Sequence, residues 1–199
     1  MASDLHEERL AGVVQALLAS GATRILDLGC GSGELLSALR SHAQFTQLLG
    51  IDIDEHQLAE ARAVLGLDLL APDERLHVRY GSFEEADRRL RGFDAAVMLE
   101  TIEHIEPSRL SKVEHMVFRG LQLSTVLITT PNQEYNVVHG MAPGERRHPG
   151  HRFEWTRAQF SAWASGVAER NDYLLEFSAL GPPHPVYGSS TQMALFRRR

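Results

Sequence analysis

Short apolar segments alternate with segments of helical spacing along most of the chain. Each apolar segment has the length of a β-strand, and most are separated by residues with helical spacing. Such alternation indicates an α/β fold with a mostly parallel sheet, because parallel strands need crossover connections. The apolar segments are TRILDLG (23–29), QLLGIDID (47–54), RLHVRYGSF (75–83), FDAAVMLE (93–100), STVLITTPN (124–132), YLLEFSAL (173–180) and TQMALFRR (191–198).

These segments predict a Rossmann-like fold with a seven-stranded, mostly parallel sheet and helices on both faces. The last two segments have no helix between them and are expected to close the sheet as an antiparallel pair. RLSKVEHMVFRGL (109–121) is predicted to form one helix. A chain of 199 residues suits one domain, here residues 1–199. Ligands bind such sheets at the carboxyl ends of the strands, where a functional site is therefore expected.

A glycine-rich loop follows the first predicted strand. In ILDLGCGSGELL, Gly29, Gly31 and Gly33 allow a tight turn and a close approach of the backbone to a ligand. The helix that follows directs free N–H groups to the same place. Asp27 precedes the glycines, and Asp52 ends the second strand, about 20 residues on, where an acid can bind both hydroxyls of a ribose.

Two cofactors fit this loop. A dinucleotide site has the pattern G-x-G-x-x-G, whereas this chain has glycines at every second position and an acid just before them. That acid can bind a cationic amino group, which S-adenosylmethionine has and NAD lacks, so S-adenosylmethionine is favoured. Ser82 and Phe83 are expected to flank the adenine, and Leu99 is expected to line the same site.

The motifs LDLGCGSG, GIDID and YGSF together resemble the successive cofactor motifs of class I methyltransferases. The resemblance covers about residues 20–130, and the motifs are widely shared. It implies a methyl donor and leaves the methyl acceptor open.

The segment VMLETIEHIEP (97–107) places two carboxylates and an imidazole at the end of the fourth strand. On a helical turn, Glu100, Glu103 and His104 would share one face. Two adjacent carboxylates repel each other unless a cation lies between them. A surface helix with a charged face is the other interpretation of this pattern.

Two more histidines, His148 and His151, lie on a loop that follows the fifth strand and can reach the same edge of the sheet. Two carboxylates and two imidazoles would suit Mg²⁺ or Mn²⁺, and Mn²⁺ accepts imidazole more readily. Zinc is less expected, because the chain has no cysteine ligand there and no H-E-x-x-H helix.

A narrower resemblance is carried by ETIEHIEP, TTPNQEYN and HRFEWTRAQFSAWA. These segments closely resemble the metal-dependent RNA 3′-terminal ribose 2′-O-methyltransferases, which include eukaryotic small-RNA methyltransferases and bacterial RNA-repair methyltransferase domains. The resemblance implies metal ligands with a catalytic role at Glu100, Glu103, His104 and His151. His151 is preferred to His148 because it directly precedes the x-Phe-Glu-Trp run.

The resemblance also implies a substrate and partners. The substrate would be an RNA 3′ end with free 2′- and 3′-hydroxyls, and RNA-repair kinase or ligase proteins would be partners. A divalent cation lowers the pKa of a hydroxyl group, which would activate the 2′-hydroxyl. A small-molecule O-methyltransferase and a non-catalytic S-adenosylmethionine-binding module remain alternatives.

Other residues near the histidines are expected to hold the RNA. Tyr135, Phe153 and Trp155 are candidates to stack on the terminal base, and core packing is the alternative for the last two. A cluster of arginines is expected to take phosphates; it comprises Arg146, Arg147 and Arg152.

Composition excludes some classes of protein. The formal net charge of −6 argues against nonspecific coating of nucleic acid, although a local patch can still grip one RNA end. No apolar run approaches the roughly 20 residues that span a bilayer, so no membrane is expected as a partner. The start shows no signal peptide, and the single cysteine, Cys30, fits a reducing cytoplasm and is expected to be a small filler in the loop.

Overall fold

A mixed seven-stranded sheet forms the centre of the computed structural model, which describes residues 2–67, 73–85 and 87–199. The strand order is β3-β2-β1-β4-β5-β7-β6, and β7 runs in the opposite direction to the other six strands. The predicted mostly parallel sheet and its antiparallel closing pair are therefore confirmed. The strands are β1 (Arg24–Leu28), β2 (Gln47–Asp52), β3 (Leu76–Tyr80), β4 (Ala95–Leu99), β5 (Thr125–Pro131), β6 (Tyr173–Leu180) and β7 (Thr191–Arg198).

Helices cover both faces of the sheet, as predicted. The first three helices of the chain pack against one face of the sheet and form one buried apolar cluster with it. The last two helices pack against the other face and form a second cluster. Neighbouring residues of one strand enter different clusters, as Ile25 and Leu26 show, because side chains alternate across a strand. The helices are α1 (Ala2–Ser20), α2 (Glu34–Arg40), α3 (Glu55–Leu65), α4 (Leu110–Glu114) and α5 (Arg157–Asn171).

The segment 109–121 departs from the single helix predicted for it. A 3₁₀ turn, Pro107–Arg109, leads into α4, and the chain then widens into a π-helix, His115–Gly120. The wider turn buries three consecutive apolar side chains, Met116, Val117 and Phe118. The apolar pattern therefore predicted a buried helical segment correctly but not its hydrogen-bonding register.

The order of the strands positions the site. The chain leaves β1 towards β2 and β3, then returns to the other side of β1 with β4. Ligands bind at such a switch point, beside the carboxyl ends of the two central strands. The glycine loop follows β1 at this edge, and the Glu100 segment follows β4.

Within the described ranges, the helices are all too short or too polar to cross a membrane.

Candidate active site

A cleft of about 800 Å³ opens at the carboxyl edge of β1 and β4. It brings together most of the residues predicted to bind a cofactor and two of those predicted to bind a metal. Gly33, Glu103 and His151 are not among its described lining residues, and the last two are buried. The predicted residues that line the cleft are Asp27, Gly29, Gly31, Asp52, Ser82, Phe83, Leu99, Glu100 and His104.

The glycine loop adopts backbone conformations that favour glycine. Gly29 has φ 82°, and a Cβ atom there would lie 2.7 Å from Cγ2 of Thr101. Gly33 has φ 84° at the start of α2, and a Cβ atom there would lie 2.9 Å from Cδ1 of Leu65. Glycine at these two positions therefore lets the loop keep this conformation without strain or steric clash within the protein.

Asp52 links the glycine loop to the second strand. Its Oδ2 atom accepts a hydrogen bond of 2.9 Å from the Gly31 N–H, and its Oδ1 atom accepts one of 2.9 Å from the Asp54 N–H. Each carboxylate oxygen can accept more than one hydrogen bond, so Asp52 can still bind the hydroxyls of a ribose.

Asp27 lies beneath the glycine loop and is almost fully buried. Burial, followed by repulsion from Asp52, raises the pKa of Asp27 to about 7. A cationic group in the cleft would offset both effects. Asp27 is therefore suited to bind an amino group, as its sequence position suggested.

The remaining residues predicted to bind the cofactor line the cleft next to β3 and β4. Ser82 Oγ accepts a hydrogen bond of 3.1 Å from the Glu84 N–H, and Phe83 packs partly buried against the core. Leu99 is half-buried at the end of β4. Cys30 is buried, and its Sγ atom packs closely against Gly50, where an added Cβ atom would lie only 2.8 Å away. This packing is what is expected of a small side chain that fills space in a tight loop.

The turn after β4 differs from the regular helical turn predicted for it. Only a 3₁₀ turn forms, Ile102–His104, and Glu100 precedes it with φ 50° in the left-handed region. A non-glycine residue is uncommon there. The Glu100 N–H donates a hydrogen bond of 2.9 Å to Thr129 Oγ1 on β5, which holds this bend. Glu100 and Glu103 are therefore brought together by a bend and not by helical periodicity.

Two carboxylate oxygens at this bend have no partner among the described residues. They are Oε1 of Glu100 and Oε1 of Glu103. Glu103 is fully buried, and its other oxygen accepts a hydrogen bond of 3.0 Å from Thr130 Oγ1. Burial and the neighbouring Glu100 charge raise the pKa of Glu103 well above its usual range, and burial also raises the pKa of Glu100. A bound cation would satisfy both oxygens and favour both charges.

Three histidines lie beside these carboxylates. One potential ligand atom each of His104, His148 and His151 lies within 4.8 Å of the other two. The Arg152 N–H donates a hydrogen bond of 2.7 Å to the carbonyl oxygen of Glu103, which ties the histidine loop to the turn after β4. Partial burial, followed by the neighbouring His151 and His148, lowers the pKa of His104, so its ring stays neutral near pH 7.

Hydrogen bonds distinguish His151 from His148. The Nδ1–H of His151 donates to Glu154 Oε1 at 2.6 Å, so a neutral ring keeps the Nε2 lone pair for a ligand. In contrast, Nδ1 of His148 accepts a hydrogen bond of 3.0 Å from the Gly150 N–H, so its neutral ring carries the proton on Nε2. These hydrogen bonds leave Nε2 of His151 free for a ligand, while His148 belongs to the same histidine cluster and Glu100 and Glu103 are not members of it.

Arg9 was not predicted to belong to the site. It lies on α1 and places Nη2 3.4 Å from Oε2 of Glu100, while its Nε donates to Thr191 Oγ1 at 3.1 Å. This charge opposes the effect of burial on the pKa of Glu100. Arg9 and Glu100 are far apart in the sequence and share no motif, so local patterns carry no signal for this contact.

Several residues expected to hold RNA have structural roles instead. Arg147 is half-buried and uses Nε, Nη1 and Nη2 in hydrogen bonds to protein acceptors, which corrects its assignment as a phosphate ligand. Phe153 is buried against Trp155, with ring centroids 4.2 Å apart, so core packing applies to this pair. Tyr135 is buried as well. Arg152 is largely exposed, lines the cleft and forms an ion pair with Glu106, with Nε 3.2 Å from Oε1.

Known proteins similar to this chain are methyltransferases. Residues 25–122 match a family model described as a methyltransferase domain. A small RNA 2′-O-methyltransferase of Gallus gallus is 34% identical over 98% of this chain and 54% of its own length. The chain thus spans about half the length of this curated relative.

Solved structures are also similar. The methyltransferase domain of bacterial CtHen1 is 38% identical, with a TM-score of 0.87, over 97% of this chain and 99% of that one. A chain in the structure of the Pnkp1/Rnl/Hen1 RNA repair complex is 20% identical, with a TM-score of 0.72, over 98% of this chain and 42% of that one, and shows the fold alone. These matches favour S-adenosylmethionine over NAD as the cofactor of the cleft.

Proposed function

Because this chain belongs to the Hen1-like small RNA 2′-O-methyltransferases, we propose that it methylates the 2′-hydroxyl of the 3′-terminal nucleotide of RNA. S-adenosylmethionine is the methyl donor. One observation carries the proposal: Glu100 and Glu103, in the bend and turn after β4, each have a buried carboxylate oxygen without a partner among the described residues, and the same turn carries His104 of the histidine cluster. Such a donor set suits a hydroxyl substrate that needs activation by a divalent cation.

The cation would be held by Glu100, Glu103, His104 and His151. The residues fit this group, because two buried carboxylate oxygens have no partner among the described residues, and His104 and His151 belong to a histidine cluster whose potential ligand atoms lie within 4.8 Å of one another. Carboxylate and imidazole together favour Mn²⁺, and Mg²⁺ is the second choice. When bound, the cation supplies positive charge that lowers the pKa of the 2′-hydroxyl and favours a ribose whose 3′-hydroxyl is also free.

The chain's own residues would position the two substrates. The methyl donor lies along the glycine loop, and the RNA 3′ end enters from the side of the cleft that Arg152 lines. Leu99, at the end of β4, lines the same cleft and would contact the methyl donor. The residues proposed to hold the donor are Asp27, Gly29, Gly31, Gly33, Asp52, Ser82, Phe83 and Leu99.

One assay distinguishes this function from its alternatives. Labelled S-adenosylmethionine and a short single-stranded RNA with free 3′-terminal hydroxyls should give labelled RNA only when Mn²⁺ or Mg²⁺ is present. Transfer to small hydroxyl compounds and not to RNA would indicate a small-molecule methyltransferase. Tight cofactor binding without transfer to either would indicate a binding module.

The proposed partners follow from the same relatives. The Pnkp1/Rnl/Hen1 structure is described as an RNA repair complex, and we propose that this chain likewise acts with RNA-repair kinase or ligase proteins. The cytoplasm is the proposed compartment for this activity.

The pKa of Asp27 predicts how cofactor affinity depends on pH. Below about pH 7 most ligand-free molecules carry a protonated Asp27, whereas a cationic amino group favours the ionised form. The affinity for S-adenosylmethionine should therefore rise by up to about tenfold per pH unit below 7 and then level off. Calorimetry across about pH 5.5 to 8.5 would measure this, with Asp27→Asn as the variant that should show a flat profile. A flat profile in the wild type would remove Asp27 from the amino-group site.

The raised pKa of Asp27 also affects the stability of the ligand-free protein. Cofactor affinity rises with pH, whereas the contribution of Asp27 to stability falls. The folded, ligand-free protein holds the Asp27 proton more tightly than the unfolded chain does. The contribution of Asp27 to the free energy of unfolding is therefore present below its ordinary pKa and is lost as pH rises through about 7.

Asp52→Ala should weaken S-adenosylmethionine binding by roughly 10- to 100-fold, since a hydrogen bond to a charged group contributes about 1.5–3 kcal/mol. The change also removes the acceptor that holds Gly31. Calorimetry measures the affinity, and Asp54→Ala, which removes the N-cap of α3, is the control for local loosening. Unchanged affinity in Asp52→Ala would exclude a ribose contact.

A further inference from the structure

Glu154 is a buried carboxylate that the proposed reaction does not use directly. Its side chain is 1% exposed, and three donors surround it. Oε1 accepts from His151 Nδ1 at 2.6 Å and from the Arg147 N–H at 2.7 Å, while Oε2 accepts from Asn136 Nδ2 at 2.6 Å. A buried carboxylate with this many short hydrogen bonds has one well-defined position.

Arg147 connects this carboxylate to the sheet. Its Nε donates to Asn136 Oδ1 at 2.6 Å, and its Nη2 donates to the Asn132 carbonyl oxygen at 2.6 Å. Its Nη1 donates to the carbonyl oxygen and to the hydroxyl of Ser190, each at 3.0 Å. Asn132 directly follows β5 and Ser190 directly precedes β7. Hydrogen bonds therefore run without interruption from two strands to the His151 ring.

We propose that Glu154 is a positioning residue that fixes His151 with its Nε2 atom directed to the cation site, and that Arg147 and Asn136 hold Glu154 in place for this purpose. The inference rests on the proposed metal-dependent function. Metal-binding histidines commonly donate their second ring N–H to a carboxylate, which sets the tautomer and the ring orientation.

The position of His151 in the chain shows why such support is needed. His151 lies outside the helices and strands, in a loop rich in glycine and proline, whereas Glu103 and His104 belong to a short turn next to β4. A loop residue has more freedom than a residue next to a central strand. The backbone of His151 is held within the loop by hydrogen bonds with His148 and Arg146, and the network through Glu154 adds an anchor for the ring itself that leads to the sheet.

Glu154→Gln tests this role with little change in shape. The amide keeps one acceptor but loses the charge, and its NH₂ group would face a donor. We expect Mn²⁺ affinity, measured by electron paramagnetic resonance, to fall by about 10-fold in Glu154→Gln and by up to about 100-fold in Glu154→Ala. Affinity for S-adenosylmethionine should stay within about twofold of the wild type, and a saturating Mn²⁺ concentration should restore most of the kcat of Glu154→Gln.

Glu114→Gln is the matched control. Glu114 is also a largely buried glutamate that accepts hydrogen bonds from an arginine and an asparagine, Arg170 and Asn171, at 2.7–3.0 Å. It lies on α4, away from the cleft, so its replacement should leave Mn²⁺ affinity unchanged while lowering the melting temperature. This control separates a loss of stability from a loss of metal affinity.

The outcomes distinguish the inference from the proposed function. Wild-type affinity for Mn²⁺ in Glu154→Gln and Glu154→Ala would overturn the positioning role while leaving the metal site intact. A similar loss of Mn²⁺ affinity in Glu114→Gln would also overturn it, because the effect would then be general. A wild-type protein that binds no Mn²⁺ would overturn the proposed metal site and the inference together.

Discussion

Glu103→Ala should lower the rate of methyl transfer at least about 100-fold, while the affinity for S-adenosylmethionine stays within about twofold. Metal ions contribute several kcal/mol to reactions of this kind, and each 1.4 kcal/mol corresponds to a factor of ten. Glu103 is fully buried and has an unpartnered oxygen, so it has no surface role that could account for such a loss. The cofactor residues that line the cleft are unchanged by the substitution.

Single-turnover assays and calorimetry measure the two effects separately. A chelator should abolish transfer by the wild type, and added Mn²⁺ should restore it. Glu114→Ala, which removes a buried glutamate from another part of the molecule, should keep a rate close to that of the wild type if it folds. Full-rate transfer by a chelated, metal-free enzyme would show that the two glutamates serve another purpose.

Glu103→Gln adds a test through stability. This variant can keep the hydrogen bond from Thr130 and removes a buried carboxyl group whose pKa is raised by burial and by Glu100. In the metal-free protein it should therefore be neutral or stabilising, because the neutral amide avoids the cost of burying a carboxyl group that must either carry a charge or take up a proton. In the presence of Mn²⁺ the wild type should be the more stable of the two, since a bound ion stabilises only the folded protein that binds it. Melting curves with and without Mn²⁺ show which of the two proteins is the more stable in each condition.

Local patterns predicted the sheet and the cofactor loop well, because these features depend on residues that lie close together in the chain. Apolar segments bounded by polar turns marked each strand. Gly29 and Gly33 marked a turn that needs positive φ angles, and Asp52 marked the end of β2. Parallel strands then bring their carboxyl ends to one edge, so the topology places the loops together without further information.

Local sequence patterns could not predict contacts between distant segments of the chain. Arg9 reaches Glu100 from α1, and Arg147 reaches the ends of β5 and β7, so both contacts depend on how distant segments pack. The sequence suggested a phosphate ligand at Arg147, but burial and protein acceptors decide its role. The bend at Glu100 also escaped prediction, since its left-handed backbone is held by a threonine on the neighbouring strand.

We propose that the cation site also recognises a terminal ribose. An internal nucleotide has a 2′-hydroxyl but no free 3′-hydroxyl, so a site that favours both hydroxyls on one ribose accepts only the last nucleotide. An RNA with a 2′-deoxy terminus should therefore be inert although it can still bind. A 3′-phosphate should also block transfer, because it covers the second hydroxyl and adds bulk.

A 3′-deoxy terminus is the sharpest substrate test, because it keeps the 2′-hydroxyl that receives the methyl group and removes only its neighbour. We expect this RNA to lose most of the activity, by about 100-fold or more if the second hydroxyl contributes about 3 kcal/mol to transition-state binding. Internal 2′-hydroxyls should stay unmodified, as mapping by alkaline hydrolysis would show. Equal rates with the 3′-deoxy RNA and its normal counterpart would rule out recognition of both hydroxyls. Methylation of internal riboses or of a base would also rule out recognition of both terminal hydroxyls, even if the protein proved to be an RNA methyltransferase.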